Sequence, residues 1–116
     1  MAKLERYGGN PNCIVAVPQI GVFQLSNDTD FILLGSDGIF DNLDNKQIKS
    51  IVQNEARELS EKLPSDIQVG SFEHVTACCG AAVNAVMRNA MEQESTDNLS
   101  VVLLVFQNFK NLLNQF

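Results

Sequence analysis

Two strand-length apolar runs, FILLG at residues 31–35 and LSVVLLVF at 99–106, lie far apart in the chain, and almost everything between them reads as helix or polar loop. Continuous apolar runs of this length belong to strands buried on both faces or lying beneath a helix layer. If the two runs share a sheet, the intervening chain must leave it and come back. LDNKQIKSIVQNEARELSEKL does the first half of that. Asp44 and Gln47 have the N-cap and N3 spacing of a capping box, and Ile48, Ile51, Val52, Leu59 and Leu63 recur on one face with Lys, Glu and Arg opposite. The spacing predicts a helix over 45–62. Pro64 ends it, and 64–71 reads as a loop. FEHVTACCGAAVNAVMRNAMEQ then predicts a second helix over 72–93, with a narrow stripe of Val75, Cys78, Ala82, Val86 and Ala90 suited to close packing. Gly80 costs that helix about 1 kcal/mol relative to alanine, so a close approach of neighbouring backbone is the expected reason for it.

The flanks are less regular. Residues 1–12 contain Gly8-Gly9-Asn10-Pro11 and read as a turn-rich leading segment. CIVAVPQIGVFQL (13–25) is rich in Ile and Val but broken by Pro18 and Gly21, which predicts an edge or bent strand, and SNDTD (26–30) predicts a hairpin turn. In the tail, 107–116, Phe109, Leu112, Leu113 and Phe116 fall at helical spacing, as in a short docking helix. The order strand, strand, helix, helix, strand, helix favours an α+β fold, an antiparallel helix pair laid on one antiparallel sheet, over a doubly wound arrangement. One domain covering 13–106 fits 116 residues of which 45% are hydrophobic.

The net charge of -6, from 14 acidic and 8 basic residues, argues against a surface that tracks nucleic-acid phosphates. No run is long enough to cross a membrane, and the first ten residues, MAKLERYGGN, lack the apolar core of a signal peptide. Neither nucleic acid nor membrane is therefore an expected partner. Cys13 and the adjacent pair Cys78-Cys79 form no Cys-x-x-Cys spacing, and their odd number suits buried reduced thiols in the cytoplasm or nucleus.

The carboxylates stand at the strand ends. Asp37 follows the first apolar run closely, and Asp97 precedes the second. In an antiparallel pair those two ends lie at one edge of the sheet, so the two carboxylates converge there. Asp41, one turn beyond Asp37, reaches the same place. Hard divalent cations take such oxygen ligands, with water completing the shell. Asp37-Gly38 and Asp97-Asn98 are equally ordinary turn dipeptides, and spacing alone leaves both readings open.

The blocks DFILLGSDGIFDNLDN and ESTDNLSVVLLVF, in this order and at this separation, resemble the last two signature blocks of the metal-dependent serine/threonine protein phosphatases of type 2C. IVAVPQIGVFQL is similar to the strand block that precedes them in that family, so the resemblance runs from about Cys13 to Phe106. It implies a part of a four-layer αββα sandwich. It also implies that Asp37 and Asp97 are ligands of a pair of Mn²⁺ or Mg²⁺ ions. Asp41 matches an acid that in some members contributes to a third, weaker metal. Gly38 permits the tight turn, and Asn98 supports the site by a hydrogen bond. The implied activity is dephosphorylation of phosphoserine and phosphothreonine proteins by a water that the two ions activate.

The family's N-terminal blocks, which include a phosphate-gripping arginine and a metal-bridging aspartate, have no counterpart here. The lone histidine, His74, matches no catalytic histidine of the family and is expected at the surface or in helix packing. Arg6, Arg57 and Arg88 read as solvated side chains. The resemblance thus implies the C-terminal portion of a phosphatase domain, inactive as an isolated chain. Such a portion would expose an apolar sheet face and self-associate. The alternative is a non-catalytic, phosphatase-like interaction module.

Overall fold

The structure, a computed structural model, describes residues 8–9, 16–93 and 98–116. Strand β1 (Phe31–Gly35) leads into a one-turn helix α1 (Asp37–Phe40), followed by the long helices α2 (Asn45–Glu61) and α3 (Phe72–Glu92). Strand β2 (Val101–Val105) and helix α4 (Gln107–Leu113) complete the described chain. β1 and β2 pair antiparallel, from Phe31 opposite Val105 to Gly35 opposite Val101. Helices on a two-stranded antiparallel sheet are thus observed, the α+β class expected, though with one described strand before the helices where two were expected.

Helix α2 starts where its capping box dictates. The Asp44 carboxylate accepts from the Gln47 backbone N–H at 2.8 Å, and the Asp44 N–H donates to Gln47 Oε1 at 2.9 Å. Helix α3 is capped by Ser71, whose hydroxyl accepts from the His74 N–H at 3.2 Å. Ser60 on α2 touches His74 near the start of α3, while Ser50 and Ile51 share a groove with Asn89 and Gln93 near its end, so the two helices run antiparallel. Along their contact Ile48, Val52 and Ala56 face Val75, Cys78, Ala82, Val86 and Ala90, all buried. The small side chains on α3 let the helices approach closely. Phe109 and Leu113 from α4 fill the remaining end of this core.

Alternation then decides how the sheet is used. Phe31, Leu33, Val101, Leu103 and Val105 pack against the helical core. Ile32, Leu34, Val102 and Leu104 fall on the opposite face, where Leu34 and Val102 are each 53% exposed and Leu104 is 48% exposed. The sheet therefore lies beneath a helix layer on one side and is apolar and open on the other.

Two sequence expectations change here. Residues 16–25 form no strand, and Val17, Ile20, Val22 and Phe23 are 70% exposed or more; residues 13–15 lie outside the described residues. Apolar composition supplies strand propensity, but a strand exists only where a neighbour takes its backbone hydrogen bonds. The turn at 26–29 does form, with the Thr29 N–H donating to the Ser26 carbonyl at 3.2 Å, yet it joins no hairpin. Gly80 likewise lacks the close backbone approach expected of it. A methyl group built there meets nothing within 4 Å, and the residue is exposed. No neighbouring backbone requires a glycine, so Gly80→Ala should stabilise the protein by about 0.5–1 kcal/mol, read from the shift in urea midpoint.

His74 is completely buried at the crossing of α2 and α3, which settles it as a packing residue. Its Nδ1 accepts from the Gly70 N–H at 2.9 Å, so the ring proton sits on Nε2 and donates to Ser60 Oγ at 2.9 Å. The Ser60 hydroxyl in turn donates a hydrogen bond to the Ala56 carbonyl at 2.8 Å. Gly70 can present its N–H this way because it adopts a φ of 78°, in the left-handed region that favours glycine. Burial lowers the His74 pKa and keeps the ring neutral. In the unfolded chain the ring takes up its proton near about pH 6.5, but the folded chain resists until lower pH. His74 therefore supports stability fully above about pH 6.5 and progressively less as pH falls from there toward the lowered folded-state value. Urea midpoints should drop between about pH 7.5 and 5.5, and His74→Gln should remove that part of the drop while lowering stability at both pH values.

Candidate metal centre

Gly35 closes β1, and the chain turns immediately into α1. Ser36 is the N-cap, with its carbonyl accepting from the Ile39 N–H at 3.0 Å. Asp37 is the first residue of the turn, and its carbonyl accepts from the Asp41 N–H at 2.8 Å. Two buried side chains, Ile39 and Leu43, fix this turn on the core, and the Leu43 N–H donates to the Ile39 carbonyl at 2.9 Å. Their burial leaves Asp37 and Asp41 to face solvent, and both are exposed. The two carboxylate residues thus sit one helical turn apart at the end of β1.

The antiparallel register brings the approach to β2 to this same end. The Ser36 N–H donates to the Ser100 carbonyl at 3.0 Å, extending the ladder one step past Gly35 and Val101. Gly38 then allows a contact that no other residue could make. A β-carbon at this position would lie 2.6 Å from the Asn98 carbonyl oxygen and 2.8 Å from Leu99 Cδ2. Gly38 lies inside α1 with no positive φ, so it serves close approach rather than the tight turn expected of it. Its own carbonyl accepts from Asn42 Nδ2 at 2.8 Å, tying the end of the turn down as well.

Of the expected site residues, Asp37, Asp41, Gly38 and Asn98 are therefore gathered at one sheet end. Asp97 lies outside the described residues. Among the described residues no three His, Cys, Asp or Glu side chains cluster closely enough to hold a metal ion. The groups present do fit a hard divalent cation bound largely through water. Asp37 and Asp41 offer exposed carboxylate oxygens, and the glycine cradle draws the Asn98 main chain up against the turn that carries them. The two described cysteines fit no such role. Cys78 is buried, and burial pushes its thiol pKa up to about 11; Cys79 is half-buried and shifted upward for the same reason. Sequence reasoning missed Ser36, which carries the main bridge to β2. Its only signal was a serine at an N-cap, a place where serine is ordinary.

An α+β layer with carboxylates gathered at the end of an antiparallel strand pair is the class of structure these residues define. The protein phosphatase 2C family model matches residues 3–99. Probable protein phosphatase 2C 54 of Oryza sativa subsp. japonica is 27% identical over 99 residues, covering 84% of this chain and 23% of that protein. Probable protein phosphatase 2C 78 of Arabidopsis thaliana is 26% identical over 104 residues, covering 78% of this chain and 25% of its own length. Probable protein phosphatase 2C 61, also of Arabidopsis thaliana, is 34% identical over 55 residues, 47% of this chain and 15% of that protein. No solved structure matches. The chain belongs to the protein phosphatase 2C family, and its matches span about a quarter or less of the length of these curated relatives.

The cradle gives this centre a sharp structural test. Gly38→Ala forces a methyl group against the Asn98 backbone carbonyl, which the Ser36 hydroxyl itself holds in place, so neither side can yield cheaply. The substitution should destabilise the protein by about 1–3 kcal/mol in urea denaturation, opposite in sign to Gly80→Ala.

Proposed function

We propose that this chain is the C-terminal portion of a metal-dependent protein serine/threonine phosphatase, part of a four-layer αββα sandwich. The observation that carries this reading is the Gly38 cradle. It packs the β2 approach against the turn that bears Asp37 and Asp41, where a cation ligated from both strand ends would need them. In this reading Asp37 and Asp97 hold the Mn²⁺ or Mg²⁺ pair, and Asp41 contributes to a weaker site. Gly38 and Asn98 keep the two strand ends together. When bound, such ions acidify a water and offset phosphate charge. The chain's own residues orient and concentrate oxygen ligands at one sheet end, and the substrate is a phosphoserine or phosphothreonine protein. Reduced Cys78 and Cys79 suit a cytoplasmic or nuclear location.

A second reading, a non-catalytic interaction module, draws support from the open sheet face of Leu34, Val102 and Leu104 and from the exposed Val17, Ile20, Val22 and Phe23. Exposed apolar surface of this kind, where it forms a patch, marks contact with another protein or with a second copy of the chain. Mn²⁺-dependent hydrolysis of a phosphothreonine peptide separates the two. The chain alone should be inactive. Supplying the other acidic blocks of a type 2C domain in one polypeptide should give turnover that Asp37→Ala lowers by roughly a hundredfold or more. Turnover that withstands Asp37→Ala would overturn the metal assignment. Persistent inactivity of the completed domain would favour the interaction module.

A further inference from the structure

Ser36 occupies the N-cap of α1, where a serine hydroxyl ordinarily accepts a hydrogen bond from the first turn of its own helix. It makes no such bond. Its hydroxyl instead accepts from the Ser100 N–H at 3.1 Å and donates to the Asn98 carbonyl at 3.0 Å. With the Ser36 N–H on the Ser100 carbonyl, three hydrogen bonds join this one residue to the chain leading into β2, across more than sixty residues of sequence. The Asn98 carbonyl that the hydroxyl grips is also the atom lying nearest the absent β-carbon of Gly38. Asp37 stands between these two residues in sequence. The hydroxyl therefore fixes the distance between the Asp37 turn and the Asn98 backbone, with Gly38 setting how short that distance can be.

We propose that Ser36 is a positioning residue for the divalent cation: its side chain latches the Asn98–Ser100 backbone to the Asp37 turn, so that one cation is felt from both strand ends. The inference rests on the metal reading of Asp37 given above. Without the hydroxyl, the ladder still pairs β1 with β2 through Gly35 and Val101, but Ser36 loses two of its three hydrogen bonds to the last steps toward Asn98. The fold survives while the two halves of the centre separate.

Paramagnetic broadening by Mn²⁺ falls steeply with distance and registers weak binding, so it reads this geometry in the isolated 116-residue chain. The amide signals of Asp37–Ile39 and of Asn98–Ser100 should broaden together as Mn²⁺ is added to the ¹⁵N-labelled protein. In Ser36→Ala the Asn98–Ser100 signals should need about tenfold more Mn²⁺ than in the unaltered chain, the loss expected for a group supporting metal ligands. Ser36→Thr, which keeps the hydroxyl, should restore joint broadening. Signal dispersion elsewhere should stay native, a pattern that simple loss of stability would not give. Asp37→Asn should abolish broadening at both segments. Joint broadening in Ser36→Ala at the same Mn²⁺ concentration as in the unaltered chain would overturn the role of Ser36 and leave the metal reading standing. Broadening that withstands Asp37→Asn, or none in the unaltered chain, would overturn the metal reading itself and the latch with it.

Discussion

The pairing of β1 with β2 is the contact on which the rest of the molecule depends. Its partners, Gly35 and Val101 at one end and Phe31 and Val105 at the other, are 66 and 74 positions apart in the chain. Closing so long a loop carries an entropic cost that the intervening segments must offset by packing on each other and on the sheet. Two helices of 17 and 21 residues, about 26 and 32 Å long at 1.5 Å per residue, carry the chain out and back. One helix would leave it at the wrong end of the sheet. The antiparallel helix pair is therefore required by the strand pairing, and the small-residue stripe of α3 is what lets that pair close over its whole length.

A helix pair this tight has little room for polar groups, and His74 shows how one is accommodated. Each ring nitrogen and the Ser60 hydroxyl has a partner, and the chain of bonds ends on the Ala56 carbonyl, already inside a helix. No described buried side-chain nitrogen or oxygen lacks a hydrogen-bond partner. The network also joins the loop to both helices, since Gly70 belongs to the connection between them and its left-handed backbone points the N–H inward. Fully satisfied, such a network favours one packing arrangement of the helices over sliding alternatives, because any shift strands a buried donor or acceptor.

Much of this was legible because it is written in local patterns. The capping box at Asp44 and Gln47, the apolar face of α2 and the stripe of α3 each depend on spacings within one helix, and the structure places them as their periodicity demands. Even the convergence of Asp37 with the approach to β2 followed from assuming an antiparallel pair. What could not be read was non-local. Residues 16–25 carry strand composition, but composition does not say whether an edge is available to pair with them. Gly38 and Gly80 both lie in helices, yet one meets the Asn98 backbone carbonyl on the approach to β2 and the other meets nothing within 4 Å. Ser36 and His74 are polar residues in unremarkable sequence positions. Only tertiary contact shows the first bridging to β2 and the second sealed between helices.

The two ends of the sheet are secured differently. At the Phe31 end, the Phe106 N–H donates to the Asp30 carbonyl at 2.9 Å, and Asn108 on α4 bonds both the Asp28 carbonyl and the Asp30 carboxylate. Phe109 and Leu113 then anchor that end in the core. At the Gly35 end the ties are Ser36 and the Gly38 contact, and the charged side chains there face water. On the proposed reading Asp37 and Asp97 meet at this end, and two carboxylates brought to one place repel, so folding alone would work against that arrangement. On the proposed reading a divalent cation reverses that sign. It binds the folded chain and has little hold on the unfolded one, in which the acids are far apart along the sequence. Cation binding and closure of the long β1–β2 loop are then thermodynamically linked, so a cation that binds only the folded chain would stabilise the pairing at the Gly35 end of the sheet.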